Sequence, residues 1–229
     1  MMNTYTYNPP HLSEGTANLW LNLDPNTITD NSGAVSKWKD NMSGIEFTMN
    51  TLSKKPTNND AYISFDGGDY LTDGGNTTYG ASTGWTFVGR FSAADWGGSQ
   101  CIVGDDNTSN GFIRITSASS MMVKAYNGSG AQAKAIAINT PSELNNRQFY
   151  NMIIQCNTSN NLDLWVDGVE QTSSPSFGST DYSLVIDEIG GKGGATQMLT
   201  GDIREIIMYN KVLTDVQVVD IFNYLENKF

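Results

Sequence analysis

The sequence is poor in the residue types on which most catalytic and metal chemistry depends. Its 229 residues include one histidine, His11, and two cysteines. A lone histidine near the N-terminus leaves a Ser-His-Asp triad, a Cys-His pair and a His-rich zinc site without support. Two cysteines are too few for a disulfide framework, and Cys156 falls on the inward side of a predicted strand. We therefore expect Cys101 and Cys156 to be buried free thiols, with a disulfide between them as the alternative.

Positive charge is also scarce. The chain has 13 lysines and arginines against 24 aspartates and glutamates, which gives a formal net charge of −11. Phosphate backbones and anionic membrane surfaces repel such a chain, so we predict that neither nucleic acid nor a membrane is a partner. No stretch approaches 18 consecutive apolar residues, so the sequence predicts no membrane-spanning helix.

The N-terminal stretch, MMNTYTYNPPHLSEG, lacks the basic and apolar regions of a secretion signal. We expect a protein of a virion released by lysis, or one that reaches the exterior by a non-classical route; a removed leader is a further alternative. Residues 1–15 show little periodicity but include Tyr5, Tyr7, Pro9 and Pro10. They predict an extended arm that docks on a neighbouring subunit, with a frayed terminus as the alternative.

The sequence is rich in β-type patterning. Between Phe149 and Gln171, two apolar-rich runs flank a polar tip, and Asp167-Gly168 is typical of a hairpin turn, so this stretch predicts a β-meander. With a period of two, both strands share one apolar face, formed by Met152, Ile154, Cys156, Leu162, Leu164 and Val166. Trp165 lies on the opposite face.

Other predicted strands follow at a spacing of about ten residues, as in β-sandwiches. Only the C-terminus shows helical spacing, and Thr214 with Gln217 forms a predicted capping box before it. The apolar stripe of this helix comprises Val218, Ile221, Phe222, Leu225 and Phe229. We therefore predict an all-β sandwich with a short C-terminal helix, formed by residues 16–229 as one domain.

A series of short motifs spans the chain from about Leu19 to Phe222: SFDGGDYL, WTFVGRFSA, GFIRIT, MMVKAYNG, FYNMIIQCN, LDLWVDG, DEIGG and TGDIREIIMYNKVLTDVQVVDIF. In this order they resemble the laminin-G-like or concanavalin A-like jelly rolls of the lectin/glucanase type. The resemblance implies a two-sheet antiparallel jelly-roll sandwich. Such jelly rolls include lectins, glycan hydrolases, adhesion modules and viral structural parts, so the fold alone does not identify the function.

Laminarinase-type members of this fold carry Glu-x-Asp-x-x-Glu, or a close variant, on one strand. The nearest match here is LVIDEIGG over residues 184–191, where Val185 stands at the nucleophile position and no glutamate follows at the acid position. Because glycoside hydrolysis needs two carboxylates across the scissile bond, we expect no hydrolase activity. Asp187 and Glu188 are interpreted as a pair at the end of a strand.

Calcium is the one candidate cofactor. Asp66, Asp69 and Asp73 fall within eight residues, and Asp105 and Asp106 are adjacent. Loops with aspartates and backbone carbonyls suit this ion. The alternative is ordinary Asp-Gly turn chemistry, because the spacing matches no dedicated calcium loop.

A glycan site would combine an aromatic platform with amides and carboxylates. Trp96 and Trp165 are the candidate platforms, with Asp95, Asn107 and Asn127 in nearby turns. For each tryptophan, cross-strand packing or loop anchoring is the alternative.

These features favour a non-catalytic module of a virion, such as a bacteriophage decoration, fibre or tail-associated protein. Its expected partners are other subunits of the particle, in a homo-oligomer or on a capsid or tail protein, and a surface polysaccharide. A stand-alone or exported carbohydrate-binding lectin is the alternative, and a hydrolase with an unrecognised site is a third.

Overall fold

The computed structural model describes residues 17–75, 77–80, 82–105, 111–141, 143–178, 181–193 and 196–229. The first strands are β1 (Leu19–Leu21), β2 (Ile28–Asn31), β3 (Ala34–Lys39), β4 (Glu46–Thr48), β5 (Thr57–Asn58), β6 (Ile63–Asp66), β7 (Leu71–Thr72), β8 (Thr78–Tyr79), β9 (Trp85–Ala93) and β10 (Gln100–Gly104). The remaining strands are β11 (Phe112–Ser117), β12 (Ser120–Tyr126), β13 (Ala131–Ala137), β14 (Tyr150–Cys156), β15 (Leu162–Val166), β16 (Val169–Glu170), β17 (Leu184–Val185), β18 (Glu188–Ile189) and β19 (Thr200–Tyr209). A 3-10 turn covers Leu52–Lys54, and the helix α1 covers Asp215–Lys228.

Apart from β8 and β17, which pair only with each other, the strands form two antiparallel layers. The first layer, here called the helix-side sheet, has the order β16-β15-β14-β9-β19, and β19 pairs further along its length with β6 and β1. The second layer, the opposite sheet, has the order β2-β3-β4-β7-β18-β10-β11-β12-β13. The short strand β5 pairs with both β3 and β6 and so joins the layers. The predicted two-sheet jelly-roll sandwich is confirmed.

The main hydrophobic core lies between the two layers. It contains the six meander residues that the period-two pattern assigned to one face: Met152, Ile154, Cys156, Leu162, Leu164 and Val166. The meander itself pairs as predicted, with Ile154 opposite Leu164, and the turn at Asp167-Gly168 has positive φ at both residues. Glycine tolerates such a φ at little cost, which suits this two-residue hairpin between β15 and β16.

The outer face of the helix-side sheet carries a second apolar cluster, which α1 covers. The helix begins after Thr214, whose side chain accepts from the Gln217 N–H while the Gln217 side chain accepts from the Thr214 N–H, so the predicted capping box is confirmed. The buried residues on the helix are Val218, Ile221, Phe222, Tyr224 and Leu225. Phe229 was expected in this stripe, but it follows the last helical residue and is 39% exposed.

An irregularity in β19 shapes the rest of that outer face. Ile203 pairs with Phe91 and Glu205 pairs with Arg90, so one extra residue, Arg204, is inserted between them. A bulge of this kind lets consecutive residues project from the same side of a sheet. Ile203 packs in the main core, whereas Glu205 is bonded to groups of the helix layer.

One further sequence expectation has a clear outcome. Cys101 and Cys156 are both buried and free, so the interpretation as free thiols is confirmed. Asp66-Gly67-Gly68 connects strands of different sheets, because β6 pairs with β19 whereas β7 pairs with β4 and β18. The chain therefore crosses from one sheet to the other at this turn. In the described ranges, no helix has the length and apolarity that crossing a bilayer requires.

Candidate functional site

Trp96 is not a surface platform, which corrects the expectation from the sequence. Its side chain has no exposed area, and its ring lies edge-on to Tyr150 with 5.6 Å between centroids. The indole Nε1–H donates to the Asn145 carbonyl at 2.8 Å. A buried indole normally needs such an acceptor, so Trp96 anchors its loop to the core.

Trp165 lies on the outward face of the meander, as predicted, but the C-terminal helix covers it. It belongs to the apolar cluster beneath α1 and is 9% exposed. A cleft of about 490 Å³ opens above it, between the helix and the β15–β16 turn, and includes Val219 and Phe222 in its lining. The main role of Trp165 is therefore packing against the helix, and little of its surface is left to line this cleft.

The polar residues proposed beside the tryptophans occupy turns. Asp95 Oδ1 accepts from the Gly97 N–H at 2.8 Å, and Asn127 Oδ1 accepts from the Ser129 N–H at 3.0 Å. These bonds are the local side-chain-to-backbone contacts expected of Asp and Asn in turns. Asn107 lies outside the described residues.

The aspartates predicted to bind calcium are also used in local structure. Asp66 Oδ1 accepts from the Gly68 N–H, Asp69 Oδ2 from the Asp66 N–H, and Asp73 Oδ1 from the Gly75 N–H. Asp105 is completely buried, and Asp106 lies outside the described residues. In the described part of the chain, no three carboxylate, histidine or cysteine side chains come together in a way that could hold a metal. The described aspartates of this set therefore do not come together as a site of three or more carboxylates.

Asp187 and Glu188, the remnant of the hydrolase-type motif, are both fully buried. Glu188 pairs with Gly104 on β10, and the Asp187 carbonyl accepts from the Asp73 N–H at 3.0 Å. A substrate could not reach either carboxylate without a rearrangement of the sheet. The predicted docking arm, with Tyr5, Tyr7, Pro9 and Pro10, lies outside the described residues.

The structure brings together a different set of side chains, on the part of the helix-side sheet that α1 leaves open. We call this surface the arginine face, and its members are Tyr62, Arg90, Phe149, Arg204 and Phe229. Each member comes from a different element or terminus. Tyr62 precedes β6, Arg90 lies in β9, Phe149 precedes β14, Arg204 is the bulged residue of β19, and Phe229 follows α1.

Two aromatic rings lie close to the guanidinium of Arg204. Its Cζ lies 4.0 Å from the centroid of Phe149 and 5.3 Å from that of Phe229, within the range of cation–π attraction. The Tyr62 ring packs against Phe149 with 5.9 Å between centroids. Tyr62, Phe149 and Arg204 are all partly exposed. Burial, together with the neighbouring charge of Arg90, lowers the pKa of the Arg204 guanidinium.

Arg90 ties the arginine face to the helix. Its Nη1 donates to Asn151 Oδ1 at 2.7 Å and lies 3.8 Å from Glu226 Oε1. Asn151 Nδ2 in turn donates to the same Glu226 oxygen at 2.6 Å. Arg90 also lies 5.2 Å from the centre of the Phe229 ring. Its position is therefore fixed by contacts with β14 and the last turn of α1.

A cleft of about 240 Å³ adjoins the arginine face. Its lining includes Ser64, Arg147, Thr200 and Asp202. Ser64 and Asp202 are direct partners across β6 and β19, and they lie two residues from Tyr62 and Arg204, respectively. The aromatic platform and the polar cleft are therefore neighbours on this surface, with hydroxyl, carboxylate and guanidinium groups beside partly exposed aromatic residues.

Sequence reasoning missed this surface because its members are spread from residue 62 to residue 229. A tyrosine, a phenylalanine and two arginines are unremarkable within their own segments. The one available signal was the charge imbalance: in a chain with few cations, three of the four arginines, Arg90, Arg147 and Arg204, line this side of the molecule.

Solved structures share this fold at low sequence identity. The binding domain of Paraclostridial Mosquitocidal Protein 1 matches with a TM-score of 0.60 and 11% identity, over 87% of this chain and 52% of that chain. A Trypanosoma rangeli sialidase matches with a TM-score of 0.56 and 14% identity, over 91% of this chain and 32% of that chain. This chain thus spans about a third of the length of the sialidase.

A third structure is of comparable size. The Ruminococcus gnavus IT-sialidase CBM40 bound to α2,3-sialyllactose matches with a TM-score of 0.50 and 15% identity, over 70% of this chain and 95% of that chain. At such identities the likeness shows the fold alone. No curated protein sequence gives a match. The family model described as the concanavalin A-like lectin/glucanases superfamily matches residues 57–219, which is most of the chain. The chain therefore belongs to the concanavalin A-like lectin/glucanase superfamily.

Proposed function

We propose that this protein is a non-catalytic carbohydrate-binding module that holds a glycan on the arginine face. The observation that carries the proposal is the partly exposed Tyr62–Phe149 pair, with 5.9 Å between ring centroids, beside a polar cleft. Sugar rings present flat apolar faces that stack on aromatic side chains, while their hydroxyls need hydrogen-bonding groups at the edge. Ser64, Asp202 and Arg204 supply such groups.

A binding role without catalysis is supported by the remnant of the hydrolase motif. Valine occupies the nucleophile position at 185, and the nearby carboxylates of Asp187 and Glu188 are buried. The fold likeness to a carbohydrate-binding module bound to α2,3-sialyllactose agrees with this proposal. If the proposal is right, a bound oligosaccharide incubated with the protein releases no reducing ends. Release that disappears in Asp187→Asn would overturn it.

Two tyrosine variants test the location of the binding surface. On a glycan array, Tyr62→Ala should lower the signal of the bound glycans about tenfold or more, because it removes one ring of the platform. Tyr126→Ala is the matched control, since Tyr126 is a partly exposed tyrosine on β12 of the opposite sheet. No binding by the wild-type protein, or equal binding by Tyr62→Ala, would refute the proposal.

The virion role predicted from the sequence stays a prediction, and the docking arm that it includes lies outside the described residues. Light scattering after size-exclusion chromatography tests it on the full chain and on a chain that lacks residues 1–15. If the arm joins subunits, the full chain forms multimers and the chain without residues 1–15 is monomeric. A monomer in both cases would contradict it.

A further inference from the structure

The arginine face has an unusual charge for this molecule. The chain carries a net charge of −11, yet Arg90, Arg147 and Arg204 lie on one side of one sheet. Of the acidic residues nearby, Asp202 Oδ2 accepts from Ser92 Oγ at 3.1 Å, and Glu226 Oε1 accepts from Asn151 and lies 3.8 Å from Arg90 Nη1. This surface therefore concentrates three of the four arginines of an acidic chain.

Arg204 differs from the other arginines of the sheets in its hydrogen bonding. Arg90 donates to Asn151, and Arg114 donates to Gln197 Oε1 at 2.7 Å. The buried Nε of each of these three arginines has no hydrogen-bond acceptor within the described residues, but Arg204 is the one whose guanidinium also forms no salt bridge and no side-chain hydrogen bond there. A partly buried cation without an acceptor is costly, so its retention calls for an explanation.

The side chain of Arg204 is nevertheless held in a defined position. Phe149 supports one side of the guanidinium at 4.0 Å, and Phe229 lies 5.3 Å away. These ring contacts orient the planar guanidinium without forming hydrogen bonds to its N–H donors. A fixed guanidinium fork matches the two oxygens of a carboxylate, which accept two parallel hydrogen bonds.

We infer that the glycan held on the arginine face carries a carboxylate sugar, such as a sialic or uronic acid, and that Arg204 binds its carboxylate. The sugar ring stacks on Phe149 and Tyr62, and the remaining hydroxyls reach Ser64 and Asp202 in the cleft. Arg90 and Arg147 contribute positive charge to the same surface. This inference rests on the proposed function, because it specifies the ligand class of that same site.

The test compares three ligands that differ in the acidic group. Calorimetric titration of the wild-type chain uses α2,3-sialyllactose, its methyl ester and lactose. The ester keeps the sugar ring but removes the charge, and lactose lacks the acidic sugar. We expect sialyllactose to bind about tenfold or more tightly than either neutral ligand, since a hydrogen bond to a charged group is typically stronger by this amount. The difference should shrink at high salt.

Two arginine variants complete the test. Arg204→Gln should abolish the preference for sialyllactose, whereas Arg114→Gln should retain it. Arg114 is the matched control because it also lies over a phenylalanine ring, 4.7 Å from Phe112, on the opposite sheet. Arg204→Lys should give an intermediate preference, because an ammonium keeps the charge but loses the planar fork.

The outcomes separate the inference from the proposed function. Binding of all three ligands with equal affinity, lost in Tyr62→Ala, would overturn the carboxylate inference and leave the glycan site intact. A preference for sialyllactose that persists in Arg204→Gln would also overturn it. Absence of glycan binding on a broad array would refute both. The comparison of sialyllactose with its ester needs no variant and so does not depend on the folding of one.

Discussion

Arg204 and Glu205 are consecutive residues of β19, but the two regions that they occupy satisfy charge in opposite ways. Glu205 lies beneath α1 and accepts hydrogen bonds from Trp20 Nε1 at 2.5 Å, Tyr224 Oη at 2.6 Å and Lys228 Nζ at 2.8 Å. Arg204 lies beyond the helix, where aromatic rings hold it but no described residue accepts its buried Nε–H. The Glu205 carboxylate is thus satisfied by groups of the helix-covered region, whereas we propose that a ligand supplies the acceptor for Arg204 on the arginine face.

The largest expected effect tests this contrast through stability. Glu205→Ala leaves the partly buried ammonium of Lys228 and two buried donors without their shared acceptor, so we expect the free energy of unfolding to fall by about 3–5 kcal/mol. The neighbouring variant Arg204→Ala should change it by less than about 1 kcal/mol, because no hydrogen bond is lost. Urea denaturation of both variants gives the two values. Equal losses of unfolding free energy in the two variants would show that Glu205 and Arg204 contribute equally to stability and would contradict this contrast.

A second pair of variants compares the two sides of the helix. Ile221 is fully buried against the sheet, whereas Val219 is 57% exposed. Ile221→Ala should cost about 2–5 kcal/mol of unfolding free energy, because it leaves a cavity beneath α1. Val219→Ala should stay within about 0.5 kcal/mol. If Ile221→Ala proved as mild as Val219→Ala in thermal and urea unfolding, the packing of α1 on the sheet would be in question.

The helix and its packing were predictable because their signals are local. The capping box depends on residues three apart, and the buried stripe follows the helical period. The division of the meander into an inner and an outer face likewise follows from strand alternation. Phe229 departs from the stripe because it lies past the last helical residue, where periodicity no longer fixes the direction of a side chain.

The site was not predictable, because it depends on contacts between distant segments. Trp96 was a candidate platform, but its loop folds back so that the indole reaches the carbonyl of Asn145, 49 residues away. Arg204 projects beside Glu205 only because the pairing with β9 inserts an extra residue. Neither the burial of Trp96 nor the position of Arg204 can be predicted from a short stretch of sequence.

The turn between β6 and β7 offers a pH-dependent test. Burial raises the pKa of Asp69 from its ordinary value of 3.8 to about 6. Between these pH values the folded state binds more protons than the unfolded state, so stability should fall as the pH rises through this window. Asp69→Asn should remove that decline and raise the unfolding free energy at pH 7 by about 1 kcal/mol, after allowance for solvent screening. Urea denaturation from pH 4 to 7 checks this, and parallel curves for the two proteins would contradict it.

The smallest expected effect concerns the start of the helix. Thr214→Ala removes the acceptor for the Gln217 N–H and should lower the unfolding free energy by about 1 kcal/mol. Because Thr214 lies far along the helix from Phe229, glycan affinity should not change. Thermal unfolding together with a glycan titration measures both quantities. A large loss of affinity would mean that the helix-covered region and the arginine face are coupled.

The most direct measurement of the central claim is an NMR titration that follows the arginine Nε–H signals of the full chain. With α2,3-sialyllactose, we expect the Arg204 Nε–H signal to shift strongly, while the chemical shift of the Arg114 signal, on the opposite sheet, should not change. With the methyl ester, the Arg204 shift should be small. A titration in which sialyllactose binds but leaves the Arg204 signal unmoved would contradict the assignment of the arginine face as the binding surface.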